Sequence, residues 1–150
     1  MTNESIKEFI TQFQPYATFD ETGEWLNILI NATDWKPLAA QLRNEPNGYD
    51  YLFCLTCIDW KTHLTMVYHL SSTVHRHTVV IKAKTDRTSP IIETVSDIWK
   101  TAIFHEREVF ELFGVHFTNH PDLRKLILTD DFEGYPLRKD FEDPINMIKL

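Results

Sequence analysis

Hydrophobic and polar residues are arranged in two patterns along the first 48 residues, one typical of helices and one typical of strands. Apolar residues spaced three and four apart are typical of helices with one buried face. Shorter apolar runs bounded by turn-forming residues are typical of strands. The pattern predicts helix Glu4–Phe13, strands Tyr16–Asp20 and Trp25–Ile30, and a second helix capped by Thr33 or Asp34 that ends at Arg43.

Three strands are predicted in the middle of the chain. Tyr49–Ile58 is almost continuously apolar, which is the pattern of a strand buried on both faces. His63–Leu70 alternates between apolar and polar residues, as a strand with one buried face does. After a short turn, Val74–Lys84 is expected to return antiparallel to it.

Helices are predicted for the following segment. Ser89 is expected to cap a helix with Pro90 at its first position, where proline is favoured. Apolar residues continue this pattern as far as Ile103. A second, short helix is expected over His105–Phe113, with Gly114 as its C-terminal cap.

The order of these elements predicts an α+β fold over residues 1–114. The order α-β-β-α-β-β-β-α favours a two-layer domain with helices on one side of a mixed sheet. Residues 115–150 show no clear periodicity and contain three prolines, yet apolar residues recur throughout. We interpret them as an extended C-terminal interaction segment, here called the C-terminal arm, whose apolar side chains need a surface to pack against. That surface can belong to another protein.

Composition narrows the possible functions. The 150 residues include 15 Lys and Arg against 22 Asp and Glu, giving a net charge of −7. An acidic protein is poorly suited to bind nucleic acid, because phosphate neutralisation needs a basic face. No apolar run approaches the roughly 20 residues that span a bilayer, and no secretory signal is visible at the N-terminus. Two cysteines cannot form a disulfide scaffold and fit a reducing cytosol.

Cysteines and histidines offer two candidate sites. Cys54 and Cys57 have CxxC spacing, but residues three apart in a regular strand point to opposite faces, so we interpret them as small buried side chains. Four histidines lie on the predicted hairpin, at positions 63, 69, 75 and 77. His75 and His77 would share a strand face, which permits a two-histidine metal site. Polar residues on the solvent side of a hairpin explain them equally well.

A dense charge cluster follows Phe104, formed by Glu106, Arg107, Glu108 and Glu111. On a helix, Arg107 and Glu111 are four residues apart and can pair. Large apolar neighbours suggest that the carboxylates are partly desolvated. The sequence contains no glycine-rich phosphate loop, no nucleophile elbow and no HExxH motif, so we expect no active site of its own.

A long ordered set of residues begins in this cluster and continues through the arm. The set comprises Glu106, Arg107, Glu108, Glu111, Phe113, Gly114, Phe117, His120, Pro121, Asp122, Leu123, Arg124, Gly134, Pro136, Leu137, Arg138, Lys139 and Asp140. It closely resembles the signature of the 30-kilodalton (C) subunit of proton-pumping NADH:quinone oxidoreductase, which is respiratory complex I. The likeness covers roughly residues 49–141, and Asp59 and Trp99 match more weakly. Asn119, Lys125 and Thr129 are mild departures from the family pattern.

The resemblance implies a non-catalytic structural and assembly subunit that supports electron transfer from NADH to quinone coupled to proton translocation. It implies an α+β domain with an extended C-terminal segment, and no flavin, cluster, quinone or other cofactor bound by this subunit. It places the chain in the hydrophilic arm of the complex, peripheral, on the cytoplasmic side of the bacterial inner membrane. The expected partner is the 49-kilodalton-type (D) subunit, with the B and I subunits nearby. The chain ends at Leu150, so we expect a 30-kilodalton-type subunit that is not fused to the 49-kilodalton type.

The arm from Val115 to Phe141 is expected to lie on a neighbouring subunit. Four of its apolar residues would bury area there, namely Phe117, Leu126, Ile127 and Phe132. Three basic residues would pair with acceptors across the interface, namely Arg124, Arg138 and Lys139. Two alternatives stay open: the equivalent subunit of a related membrane-bound hydrogenase or other-donor dehydrogenase, and a stand-alone domain that binds metal through the hairpin histidines.

Overall fold

The structure is a computed structural model that describes residues 1–143 and residue 145. It contains three helices and seven strands among these residues. In chain order they are α1 Asn3–Phe13, β1 Thr18–Asp20, β2 Leu26–Asn31, α2 Ala32–Arg43, β3 Tyr51–Asp59, β4 His63–Ser72, β5 His77–Asp86, β6 Ile91–Glu93, α3 Ala102–Phe113 and β7 His116–Thr118. The predicted α+β class with a mixed sheet is confirmed.

Five strands form the main sheet in the order β1-β2-β5-β4-β3. Strands β2 and β5 are parallel, and the other neighbours are antiparallel. The apolar face predicted for β4 is confirmed, since Leu64, Met66, Tyr68 and Leu70 are all buried. The expected solvent-exposed opposite face is wrong, because Thr65 and Val67 are buried too. The predicted apolar face packs against the helical layer, so the core lies between the sheet and the helices.

Helices α1 and α2 cover this face because each carries an apolar stripe. Helix α1 begins with a capping box in which Thr2 and Ser5 satisfy each other's backbone N–H groups. Ile6 and Ile10 on α1 are fully buried. The ring of Trp35 on α2 stacks on that of Trp99, with 6.1 Å between the ring centroids.

The helix predicted from Pro90 to Ile103 is wrong. Residues 91–93 form β6, which pairs in parallel with β7, and the carbonyl of Pro90 accepts a hydrogen bond of 2.9 Å from the N–H of His116. Turns follow, and α3 begins at Ala102. Val95 and Trp99 are buried as their apolar spacing indicates, but a pairing with a distant segment overrides the local helical preference. Strand β7 also lies where the sequence predicts no strand.

Strand β3, expected to be buried on both faces, lies at the edge of the sheet. Its apolar run has two separate causes. Helix α3 packs against it on the core side, where Leu55 and Cys57 are buried. On the opposite face, the ring of Phe53 lies 5.6 Å from that of His69. Tyr51 at the start of the strand remains 51% exposed.

Candidate interaction site on the C-terminal arm

Two charged side chains on adjacent turns of α3 hold the backbone of the arm. Arg107 donates from Nε to the carbonyl of Arg124 at 3.0 Å and from Nη2 to that of Lys125 at 2.9 Å. Glu111 accepts the next backbone N–H groups along the chain, those of residues 126, 127 and 128, at 2.8 to 3.1 Å. Both side chains are buried. The guanidinium of Arg107 therefore binds backbone carbonyls, and the carboxylate of Glu111 binds backbone N–H groups, of the continuous segment 124–128.

The arm then wraps around the ammonium group of Lys125. Its Nζ donates to the carbonyls of Thr129 at 3.1 Å, Asp130 at 3.2 Å and Phe132 at 2.9 Å. An ammonium has three donors, and this loop provides an acceptor for each of them. The loop conformation is thus fixed by contacts inside the chain.

A second anchor lies at the end of the sheet. Asp59, at the C-terminus of β3, is buried and receives two 2.8 Å hydrogen bonds from the guanidinium of Arg87. It also accepts the backbone N–H groups of Lys61 and Lys139 at 2.8 and 2.9 Å. Arg87 reaches on to Asp140 at 2.9 Å. The hydrogen bonds from Arg87 hold the pKa of Asp59 well below its usual range, so the carboxylate is ionised.

The end of α3 forms a third anchor for the arm. Gly114 ends the helix at φ 77°, a left-handed conformation that favours glycine, and confirms the predicted cap. A Cβ at this position would lie 2.6 Å from the ring of Tyr135. Arg138 donates from Nε to the carbonyl of Phe113 at 2.6 Å, with its guanidinium 5.0 Å from the Tyr135 ring centroid. The close approach of Tyr135 thus depends on glycine.

Glu106 points from α3 into the core and is 0% exposed. It accepts the N–H of Val95 at 2.8 Å and the hydroxyl of Thr94. Nε2 of His120 lies 3.7 Å from its carboxyl and donates to the carbonyl of Ile103 at 3.0 Å. Burial raises the pKa of Glu106 to about 7, although the hydrogen bonds from Thr94 and Val95 act in the opposite direction.

Replacing Glu106 by glutamine is expected to flatten the pH dependence of stability. A carboxyl with a raised folded pKa stabilises the fold fully below its unfolded pKa of 4.5 and loses that contribution as the pH rises towards 7. We expect the free energy of unfolding of the wild type, relative to that of Glu106→Gln, to decline by roughly 3 kcal/mol across this window. Urea denaturation at half-unit pH steps measures this, with the exposed Glu108→Gln as the matched control. Equal slopes in both variants would contradict the assignment.

The resemblance residues occupy different environments. Glu106, Arg107 and Glu111 are buried, as the expected desolvation requires, whereas Glu108 is exposed. The predicted ion pair between Arg107 and Glu111 is not formed within the described chain, because both groups contact the backbone of residues 124–128 instead. The remaining signature positions lie along the arm, where Pro121, Asp122, Arg124, Gly134, Leu137, Lys139 and Asp140 are exposed and His120, Pro136 and Arg138 are partly buried.

One of the apolar contacts expected across an interface is wrong. Phe117 is 1% exposed and packs in the core of its own chain, because β7 pairs with β6 and carries it inward. Phe132 stacks on Phe141 within the arm, with 6.1 Å between the ring centroids. Leu126 and Ile127 are exposed, and their role at an interface stays a prediction.

The three basic residues expected to bind a partner all have contacts within the chain. Arg124 pairs with Asp122 at 2.9 Å on the surface. The ammonium of Lys139 lies 5.9 Å from the ring centroid of the half-exposed Trp60. Arg138 binds the end of α3, as described above. Pairing of these three residues with acceptors on a partner stays a prediction.

Sequence reasoning missed Arg87 and Thr94, and matched Asp59 only weakly to the family. No local pattern identifies Arg87, because its carboxylate partner lies 28 residues away and the two meet only through the register of the sheet. Thr94 sits in a segment predicted to be helical.

The hairpin histidines and the cysteines are separated in the structure. His75 lies in the turn before β5, so it does not share a strand face with His77. The ring of His77 hydrogen-bonds to the Tyr49 hydroxyl at 2.7 Å and to the Asn3 side chain at 2.8 Å. Cys57 faces the core, where burial raises its thiol pKa to about 12. Residues 1–143 and 145 contain no group of three or more His, Cys, Asp or Glu side chains placed to hold a metal ion.

The fold and the anchored arm define a class of protein: a two-layer α+β domain followed by a long, ordered, mostly irregular C-terminal segment. The chain belongs to the family described as the 30 Kd subunit of respiratory-chain NADH dehydrogenase, which matches residues 28–145. The predicted family is thereby confirmed. Across the described residues, no helix has the length and hydrophobicity needed to cross a membrane.

Relatives that carry the name of this subunit extend over most of the chain. The NADH-quinone oxidoreductase C subunit of Moorella thermoacetica is 37% identical over 141 residues, covering 91% of this chain and 95% of that protein. The NADH-quinone oxidoreductase C/D subunit of Phocaeicola vulgatus is 46% identical over 103 residues, covering 67% of this chain. The chain spans only about a fifth of the length of such C/D relatives, since it covers 20% of this one.

Solved structures share this fold. The structure of the membrane-bound sulfane sulfur reductase, an archaeal respiratory membrane complex, contains a chain that matches with a TM-score of 0.76 and 27% identity over 93% of this chain and 85% of that one. The trypsin-resistant fragment of Nqo5 matches with a TM-score of 0.69 and 23% identity over 79% of this chain and 98% of that fragment. The second likeness concerns the fold alone.

Proposed function

We propose that the chain is a non-catalytic structural and assembly subunit in the hydrophilic arm of an NADH:quinone oxidoreductase. In this role it supports electron transfer from NADH to quinone coupled to proton translocation, and binds no cofactor itself. One observation carries the proposal. The buried ionisable groups of the signature, Glu106, Arg107 and Glu111, all hold backbone segments in place. Such an arrangement organises a surface and leaves these groups no free access to a substrate.

The arm supplies the surface for assembly. Its side chains include several large apolar groups that are exposed, namely Leu126, Ile127, Tyr135 and Leu137. Exposed apolar residues grouped on one segment are typical of protein–protein contacts. We assign the 49-kilodalton-type (D) subunit as the main partner, with the B and I subunits nearby. The chain would then be peripheral, on the cytoplasmic side of the inner membrane, and associate with the membrane through its partners.

A tagged copy of the chain, purified from detergent-solubilised membranes of its host, tests this function. We expect it to co-purify with the 49-kilodalton-type subunit and with the NADH- and FMN-binding subunits, identified by mass spectrometry. The host expressing the tag alone is the control. Recovery of the chain without any other member of such a complex would contradict the proposal.

The likeness to a chain of the sulfane sulfur reductase supports a second candidate, the equivalent subunit of a related membrane-bound complex. That complex is named as a sulfane sulfur reductase and not as an NADH-quinone oxidoreductase, while the shared fold suits the same structural role. The same purification distinguishes them. Co-purification of a hydrogenase-type or sulfur-reducing catalytic subunit, without NADH- and FMN-binding subunits, would favour the second candidate.

A further inference from the structure

Residues 125–133, here called the arm loop, have backbone N–H groups and backbone carbonyls that are hydrogen-bonded by charged side chains of the same chain. The carboxylate of Glu111 binds the N–H groups at its start, and the ammonium of Lys125 binds the carbonyls near its end. Charge-assisted hydrogen bonds are stronger than neutral ones. The arm loop therefore keeps its shape without a partner, and binding would order little additional chain.

The side chains that this fixed backbone projects combine one apolar group with acidic neighbours. Ile127 is 74% exposed, although its own N–H is bound by Glu111. Three exposed carboxylates follow it, at Asp130, Asp131 and Glu133. The hydroxyl of Thr129 hydrogen-bonds to Asp131 and lowers the pKa of that carboxyl. The arm loop thus combines one strongly exposed apolar residue with three exposed carboxylates within six positions of it, and with Lys125 included its formal charge is 1 − 3 = −2.

We propose that the arm loop is a preformed docking element that inserts Ile127 into an apolar pocket bordered by lysine and arginine residues on another protein. The proposal rests on the function proposed above in taking that protein to be a member of the same complex. Charge favours this kind of partner, because the three carboxylates lie on the same short loop as Ile127 and give it a negative charge. A basic border pairs with them, whereas an acidic border is repelled.

The same charge disfavours the other occupants. A second copy of this chain would carry a net charge of −7 and the same acidic loop, so two copies would repel each other. Anionic lipid headgroups and nucleic-acid phosphates are disfavoured for the same reason. Apolar side chains in a pocket commonly provide the affinity of an interface, while surrounding charges set its association rate and salt dependence.

The first test removes the apolar anchor. Ile127→Ser in the tagged full-length chain is expected to reduce co-purification of the complex by about tenfold or more. Val74→Ser is the matched control, because Val74 is also 74% exposed but lies in the β4–β5 turn. Circular dichroism and thermal melting of both purified variants verify the fold. Unchanged recovery with Ile127→Ser, while the wild type co-purifies with the complex, would overturn the docking proposal and leave the proposed function intact.

The second test addresses the three carboxylates and remains informative if the first variant folds poorly. Neutralising all three carboxylates, with Asp130→Asn, Asp131→Asn and Glu133→Gln, is expected to slow association several-fold at about 50 mM salt and to have little effect at about 500 mM. The rate is measured by binding to the complex stripped of this chain. An equal rate at low salt, or a faster one, would overturn the basic border. Efficient pairing of two differently tagged copies would also overturn it, in favour of self-association.

Discussion

Glu111→Ala is expected to lower the free energy of unfolding by roughly 4 kcal/mol and to release the arm loop from α3. The buried carboxylate accepts hydrogen bonds from three successive amides of the arm. Alanine leaves those amides without their acceptor in a buried position, which costs the desolvation of each unpaired N–H group. Chemical denaturation measures the global loss, and hydrogen exchange at residues 126–128 measures the local release.

Glu108→Ala provides the matched control for this change. Glu108 lies on the same helix but is exposed, so its removal should alter stability by no more than about 0.5 kcal/mol. We expect fast exchange of the amides at 126–128 only in Glu111→Ala. If both variants have the same stability and the same protected amides, the carboxylate does not hold the loop.

Asp59→Ala is expected to cost about 3 kcal/mol at neutral pH, because it removes the buried carboxylate that receives two hydrogen bonds from Arg87 and leaves Arg87 only the exposed Asp140. The variant also removes the acceptor for the N–H of Lys139, so the end of the arm loses an anchor. A double-mutant cycle with Arg87→Ala isolates the energy of the pair. A coupling energy near zero in that cycle would show that the two residues contribute independently.

The stability contribution of Asp59 has a defined dependence on pH. Because its folded pKa lies below the unfolded value near 3.8, the stabilisation is present above pH 3.8 and is lost as the pH falls towards the folded pKa. The difference in free energy of unfolding between wild type and Asp59→Ala should therefore shrink below about pH 4. A difference that stays constant between about pH 7 and about pH 2.5 would contradict the ionised buried carboxylate.

The local pattern is sufficient where an element is stabilised by its own apolar face. Helix α1 and strand β4 are predicted within one or two residues of their observed limits. In α1, Ile6 and Ile10 repeat with the spacing of one helical turn. In β4, Leu64 and Met66 repeat with the two-residue period of a strand. The pattern fails where a distant segment supplies the partner. Strand β6 exists because β7 pairs with it across α3, and nothing near Ile91 indicates that pairing.

The arm is the most difficult segment to predict. Its resemblance to a family signature identifies Arg107 and Glu111 as important but not what they contact. A pair of opposite charges four residues apart predicts an ion pair by local geometry. In the structure, Arg107 and Glu111 instead hydrogen-bond to the backbone of residues 124–128. These contacts depend on the path of the arm over α3, which local geometry does not predict. Hydrogen bonds between a side chain and the backbone of a distant segment leave no periodic pattern in the sequence from which they could be predicted.

The parallel pairing of β6 with β7 has a consequence for how this polypeptide can be shortened. A polypeptide cut after Gly114 would lose β7 and with it Phe117, which fills part of the core. It would also lose His120, whose ring lies beside the buried Glu106. Deletion from the carboxyl terminus should therefore spare at least residues 115–120 if the remaining globule is to stay intact.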